Sequence, residues 1–360
     1  MLFNLLKELI LIDSSNREGA NEAVYFCAKW LSNRGLIVEI IENNGHQMLV
    51  CEIGKGNKTI IFNGHVDVVP GKPEQFFPIE RKGRLYGRGS ADMKAGVAAM
   101  MCAMVQLKDK DLRVKIQLHI VSDEETGGFN CTGHLVKHGF LGDFVICSEP
   151  TQLGIGLQAK GVLRLEILVH GKPAHGSRPW EGINAIEKAW TVYEKIKQLP
   201  FADESSPFYS SPSINLAKIA GGDVFNKVPA TCVLTFDIRY LPNQDKDEIL
   251  KQIQSTTDGE VLVEMFSMPV KTQPDNPYIT LLKVIIERNS NKETRMFGQH
   301  GSADTVFYAA YGIPAIEFGP TGGNWHGNDE YVEIESLAIY EKMLVDYCLE
   351  FTVEEAHQNT

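Results

Sequence analysis

The stretch VKIQLHIVSDEE, residues 114–125, sets the architecture. Val114, Ile116, Leu118 and Ile120 alternate with polar neighbours in a run that predicts a strand, and the run stops in three consecutive acids. The same grammar recurs in TIIFNGHVD (59–67), FVICSEP (144–150) and AIEFGPTGGNWH (315–326), where a short apolar run ends in a histidine or a carboxylate. In open α/β sheets, ligands gather beyond the carboxyl ends of the strands. Chain segments far apart in sequence are therefore expected at one cleft. Between the first two strands lies ADMKAGVAAMMCAMVQL (91–107), whose small and apolar residues predict a buried helix. Met100, Met101 and Met104 read as core filling there. Strands alternating with helices of these lengths indicate an α/β sheet with helices on both faces.

Upstream, residues 2–13 and 19–34 have helical spacing, with Gly35 as a C-cap, and strands are expected at 36–42, 47–53 and 59–63. Downstream the pattern changes near residue 160. KGVLRLEILVHG (160–171), SINLAKIAGG (213–222), ATCVLTFDIRYL (230–241) and VLVEMFSM (261–268) alternate apolar and polar side chains. Helices are expected at about 182–197 and 245–256. The order β-α-β-β-α-β fits a ferredoxin-like sandwich. Near residue 272 the α/β pattern resumes with TLLKVIIER and a terminal helix at 335–351. The reading is a larger domain of residues 1–158 and 273–360 with a smaller α+β domain, 159–272, inserted into it.

Composition bounds the function. A 360-residue chain suggests two domains, and 43% hydrophobic with 22% charged residues is ordinary globular usage. A net charge of −11 argues against nucleic acid or an anionic membrane as partner. The start, MLFNLLKELILIDSS, carries Lys7 and Glu8 and reads as an amphipathic helix rather than a leader. No apolar run approaches the roughly 18 residues of a membrane span. Seven dispersed cysteines without CxxC spacing predict a reduced, cytoplasmic protein. No GxGxxG follows a strand, which removes the usual dinucleotide fingerprint.

Four strand ends and one helix start supply a chemical set: His65 and Asp67 in NGHVDVV, Glu124 and Glu125 in SDEETGG, Glu149 in CSEPT and His326 in GGNWHGNDE from the strand ends, and Asp92 in GRGSADMKAG from the predicted helix N-terminus. Two histidines and several carboxylates suffice for two divalent ions sharing one carboxylate, with positions left open for water and substrate. Asp67, two residues after His65, is expected to accept a hydrogen bond from the second imidazole nitrogen and fix the ring. Glu124 and Glu125 diverge in an extended chain, so one suits a ligand and the other a general base. Cys131, His134 and His138 have helical spacing and read as ordinary residues of one helix, and His119 reads as a strand residue in the core. His300 in GQHGSAD is open between pocket lining and a plain loop role, Trp180 and Trp325 between recognition and packing, and Arg178 between substrate binding and a structural salt bridge.

In combination, GHVDVVP, GRGSADMKAG, DEETGG, SEPT and the late histidine resemble the co-catalytic metallopeptidase family of acetylornithine deacetylase, succinyl-diaminopimelate desuccinylase and glutamate carboxypeptidase, over essentially the whole chain. The resemblance implies a mixed-sheet, aminopeptidase-like α/β catalytic domain with an inserted ferredoxin-like dimerisation (lid) domain. It implies two divalent ions, zinc foremost, with cobalt or manganese possible. Asp92 would bridge them, His65 and Glu149 would complete one ion's ligands, and Glu125 and His326 the other's. Glu124 would be the general base and Asp67 the partner of His65. GKPAHGSRP matches the segment whose histidine, here His175, reaches the opposite subunit's active site and stabilises the oxyanion, so a homodimer is implied. Asn226 in DVFNKVPA and Arg239 in FDIRY match positions that hold a substrate carboxylate, which a guanidinium can grip with two parallel bonds. The expected substrate is an N-acyl amino acid, with short peptides (a carboxypeptidase or dipeptidase) as the alternative. Glu149, rather than Asp, is in that family more typical of deacylases and carboxypeptidases than of aminopeptidases. GPTGGNWH departs from the most familiar late-histidine segments, which leaves the acyl group and side-chain preference open.

Overall fold

The structure, a computed structural model, describes residues 1–301 and 303–351. The chain forms two compact units. One comprises Met1–Leu157, Lys271–Phe297 and the described residues from Ala303 onward; the other comprises Gln158–Val270 and a short stretch beginning at Gly298. Sequence reading did not anticipate that this last stretch groups with the second unit.

The first unit is built on a nine-stranded mixed sheet. At its centre Lys115–Val121, Thr59–His65, Phe144–Cys147 and Ala315–Glu317 lie side by side and parallel. Their carboxyl ends therefore open on one edge. Successive residues of Thr59–His65 face opposite sides. Ile61 packs with Val136, Val145, Tyr308 and Ala315, against helices Thr132–Lys137 and Thr305–Ala309. A Cβ on Gly64, facing the other way, would lie 2.9 Å from Val97 of helix Lys94–Leu107. Both faces are thus covered, which is why residues 60–62 and Phe144–Cys147 read as continuous apolar runs.

Helix Lys94–Leu107 is buried except at Val105 and Gln106. A Cβ on Gly96 would come within 2.3 Å of the Ser148 main-chain oxygen, so only glycine lets this helix approach the end of strand Phe144–Cys147 so closely. The helix starts at Lys94, three residues later than its apolar run suggested, because residues 87–92 form a turn. Buried Lys94 donates to the carbonyls of Leu9 (3.0 Å) and Ile12 (2.9 Å) at the end of helix Leu2–Leu11, where carbonyls lack a full set of intrahelical partners. Helix Arg17–Ser32 starts two residues before the expected position because the Asn16 side chain caps it, accepting from the Gly19 N–H at 3.0 Å.

A small antiparallel sheet of Gly322–Gly323, Tyr331–Glu333, Arg84–Tyr86 and Ile79–Arg81 was not foreseen. Strands of two or three residues have no readable period. It fastens the late-histidine loop to the segment preceding Asp92.

The second unit is a four-stranded antiparallel sheet in the order Ser213–Gly221, Thr231–Tyr240, Gly161–His170, Glu260–Ser267. Helices Ala185–Ile196 and Lys246–Gln254 bury Ala189, Val192, Ile196, Ile249 and Ile253 against Leu163, Leu165, Ile167, Leu234 and Phe236 on one face of it. This is the β-α-β-β-α-β sandwich.

All seven cysteines are free and buried. Burial pushes the Cys51 thiol up to about 11 and those of Cys27 and Cys102 to about 12, which suppresses the reactive thiolate. Among the described residues, no helix is long and apolar enough to cross a membrane.

Candidate metal centre

His65 ends its strand at the open edge of the sheet and is buried. Its Nδ1 lies 2.9 Å from the main-chain oxygen of Asp67 and 3.5 Å from the Asp67 carboxylate. Of these two the carbonyl is the nearer partner, with the carboxylate at ion-pair distance. The Asp67 carboxylate accepts the Glu125 N–H at 2.9 Å. With its proton on Nδ1 for the carbonyl, the ring offers a lone pair at Nε2.

That Nε2 atom faces a ring of acids. It is 3.2 Å from Asp92 Oδ1, 3.8 Å from Glu149 Oε1 and 3.9 Å from Glu124 Oε2, yet makes no aligned hydrogen bond. The other oxygen of Asp92 lies 3.3 Å from His326 Nε2, which is also 3.3 Å from Glu125 Oε1. Two donor groups result, His65–Asp92–Glu149 and Asp92–Glu125–His326, the atoms of each within 4.8 Å of one another. Asp92 belongs to both and presents a different oxygen to each histidine.

Glu124 and Glu125 are not in extended chain, as the sequence reading assumed, but in the 3₁₀ turn Glu124–Thr126. Adjacent residues of a tight turn still point apart, so Glu125 reaches His326 while Glu124 faces His65 and enters neither donor group. Asp304, which no sequence motif flagged, is buried beside them and accepts from the Thr132 hydroxyl at 2.5 Å.

The electrostatics are those of a charge deficit. Burial pushes the Glu149 carboxyl well above the carboxylate range, and Asp92 adds to it. Burial does the same to Glu124, with Asp304, Asp67 and Asp92 adding repulsion. Burial would lower His65, but Asp67 and Asp92 outweigh it and raise the ring's proton affinity. His326 is raised by Asp92, against partial burial. Asp92 is held low because the two histidines outweigh its burial. Crowded buried carboxylates and an unpartnered imidazole nitrogen are what a cation would relieve. The donor set, two imidazoles and three carboxylates, fits two divalent ions with open positions.

His175, Asn226 and Arg239 all belong to the second unit. His175 and Asn226 sit on exposed loops joined by the His175–Lys227 bridge and by a 2.7 Å bond from the Gly176 N–H to the Asn226 carbonyl. The His175 Nδ1 accepts from the Ser177 N–H at 3.1 Å. Arg239 and Arg164 both donate to Asp237, at 2.6 and 3.0 Å, on the sheet face away from the helices. His300 lies with its ring 5.7 Å from that of Tyr209 within the second unit. Trp180 and Trp325 are exposed, and Arg178 lies 3.7 Å from Glu181.

His134 and His138 stack on each other at 3.9 Å as neighbours on one exposed helix face, and His119 is buried. Cys131 joins a different group, with His46 and Asp123, whose donor atoms lie within 4.8 Å of one another. Sequence reading missed it because His46 is far from the other two in the chain and precedes no motif.

The profile of peptidase family M20/M25/M40 matches residues 61–350. Among curated proteins, succinyl-diaminopimelate desuccinylase 1 of Alteromonas mediterranea is 29% identical over 89% of this chain and 88% of its own. Acetylornithine deacetylase of Proteus mirabilis is 32% identical over 70% of each chain. Among solved structures, aminopeptidase PepT of Bacillus cereus superposes with a TM-score of 0.83 at 23% identity, covering 97% of both chains. The metallo-carboxypeptidase Sso-CP2 of Sulfolobus solfataricus does so with a TM-score of 0.77 at 19% identity, covering 96% of this chain and 98% of its own.

Proposed function

The chain belongs to peptidase family M20/M25/M40, and from that membership we propose that it hydrolyses the acyl amide of an N-acyl amino acid, in the manner of the desuccinylase and deacetylase it resembles. The observation that carries the reading is Asp92, shared between two donor groups at 3.2 and 3.3 Å from their histidines. His65, Asp92 and Glu149 would hold one divalent ion, and Asp92, Glu125 and His326 the other, both zinc. When bound, the ions supply positive charge that polarises the scissile carbonyl and acidifies the attacking water.

The protein's own groups do the rest. Glu124 takes the proton of the attacking water and delivers it to the leaving amine; burial raises its proton affinity above that of an ordinary carboxylate, which favours proton uptake. The Asp67 carbonyl and carboxylate orient His65 and the Glu125 main chain. Arg239 and Asn226 bind the substrate carboxylate, and His175, supplied by a second copy of the chain, stabilises the oxyanion. The working form is then a homodimer, and the seven free thiols fit a reducing cytoplasm.

The test is a panel of N-succinyl- and N-acetyl-amino acids beside dipeptides and tripeptides, run with zinc-loaded protein of known metal content. The proposal expects turnover of acyl amino acids with kcat/KM at least tenfold above any peptide. Preference for peptides would transfer the assignment to an exopeptidase, the reading favoured by the likeness in fold to PepT and Sso-CP2.

A further inference from the structure

We propose that Glu330, a residue outside both donor groups, is the positioning residue that sets the affinity of the ion on the His326 side; this rests on the two-ion reading above. Glu330 is buried, and both its oxygens are fully used. Oε2 accepts from Arg88 Nη1 at 2.8 Å and from the Gly89 N–H at 3.0 Å. Oε1 accepts from the N–H groups of Ala91 at 2.9 Å and Asp92 at 3.0 Å. Four donors saturate the roughly four lone-pair sites of a carboxylate. The Glu330 carbonyl also accepts the Gly87 N–H at 3.1 Å. The turn that presents Asp92 is therefore wound around one side chain from the late-histidine loop.

The clamp runs in both directions. Arg88, held by Glu330, donates Nη2 to the His326 carbonyl at 3.4 Å. Gln75 donates to the carbonyls of Gly327 (3.2 Å) and Asn328 (3.1 Å), and its own carbonyl accepts the Arg88 N–H at 2.8 Å. Asp92 and His326 are thus set by one hydrogen-bonded block whose centre is Glu330. His65 and Glu149 are set differently, at the ends of adjacent parallel strands tied by the 3.1 Å bond from the Ser148 N–H to the Asn63 carbonyl.

The asymmetry gives a differential. If the block loosens, the group Asp92–Glu125–His326 loses the placement of two of its three donors. The group His65–Asp92–Glu149 loses one. A Glu330–Arg88 pair that served only to stabilise the fold would weaken both ions alike or neither.

The experiment titrates metal-free protein with Zn²⁺ and Co²⁺ by calorimetry and by visible absorption of the cobalt form. Wild-type protein is expected to bind two ions per chain. Glu330→Gln keeps the shape but turns an amide N–H₂ toward main-chain N–H donors. It is expected to keep one ion within about threefold and to weaken the other by about 10- to 100-fold, the range for lost outer contacts. The cobalt spectrum should then report a single-site species at one equivalent. Equal weakening of both ions, or two ions bound as in wild type, overturns the proposal. A wild-type chain that takes up fewer than two ions overturns the two-ion reading itself. Should Glu330→Gln fail to fold, Arg88→Lys reads the same split, since it keeps the positive charge but drops the bond to the His326 carbonyl. Loss confined to one ion supports the clamp, and equal or no loss refutes it.

Discussion

Of the described acids that face His65 Nε2, Glu124 alone stands outside both donor groups, which is what a proton carrier requires. Glu124→Gln preserves size and removes the titrating oxygen. It is expected to lower kcat by at least about 10²-fold, the usual weight of general acid–base catalysis, while atomic absorption still finds two ions per chain. His119 makes the opposite case of a histidine with no part in the chemistry. Burial holds its pKa down to about 3, against an ordinary 6.5, and its Nδ1 lies 2.9 Å from the Tyr308 hydroxyl. Between those values the unfolded chain binds a proton that the folded chain refuses, so folding stability falls as pH falls from 6.5 towards 3. In metal-free protein, urea unfolding at pH 7 and pH 5 should show that His119→Gln removes about 2 kcal/mol of the wild-type loss between them, at ~1.4 kcal/mol per pH unit. The two donor groups were legible because their residues stand at or beyond strand ends or, for Asp92, just ahead of a helix, where composition changes abruptly. Glu330 was not, because one acid in the acid-rich NDEYVEIE looks like a solvated surface group until its burial is known, and Asp304 was not, because a lone acid in GSADT carries no motif.

Helix Lys94–Leu107 shows what period and composition carry and what they leave out. Its apolar run announced a buried helix, but the start lay hidden, since the turn before it is held by partners distant in sequence rather than by a local cap. Nor could the run show that its glycine meets Ser148, the residue before Glu149. Gly96→Ala should cost about 1–3 kcal/mol through overpacking, and it should also disturb Glu149 more than any other donor. A denaturation curve gives the first quantity. The second appears as weaker metal binding confined to the His65 side, the mirror image of the loss expected from Glu330→Gln. The alternating strands of the second unit were legible for the same reason the small sheet was not: ten-residue strands such as Gly161–His170 show a period, and Tyr331–Glu333 cannot.

At the scale of the molecule, the proposed reaction and the proposed substrate grip fall in different units. The donor groups lie in the first unit, while His175, Asn226 and Arg239 lie in the second. If His175 acts across a dimer, inactive His175→Ala and Glu124→Gln proteins mixed under subunit exchange should regain up to roughly a quarter of wild-type activity, because one site of each heterodimer is intact. No recovery with exchange proven by mass would exclude the trans role. The fold class was legible in the sequence, because strand order and helix spacing are local properties. How the two units cooperate was not, because no local pattern encodes it. The distribution of sulfur offers a way in. Cys232 is the second unit's only thiol, and the other six lie in the first. All are sealed from solvent, so a thiol reagent added to native protein marks a cysteine only when its surroundings open. Mass spectrometry of briefly alkylated protein would therefore act as a pair of internal clocks. If Cys232 acquires label at the rate of the other six, the chain opens as one body; if it runs ahead, the smaller unit breathes independently, at a frequency the label counts directly.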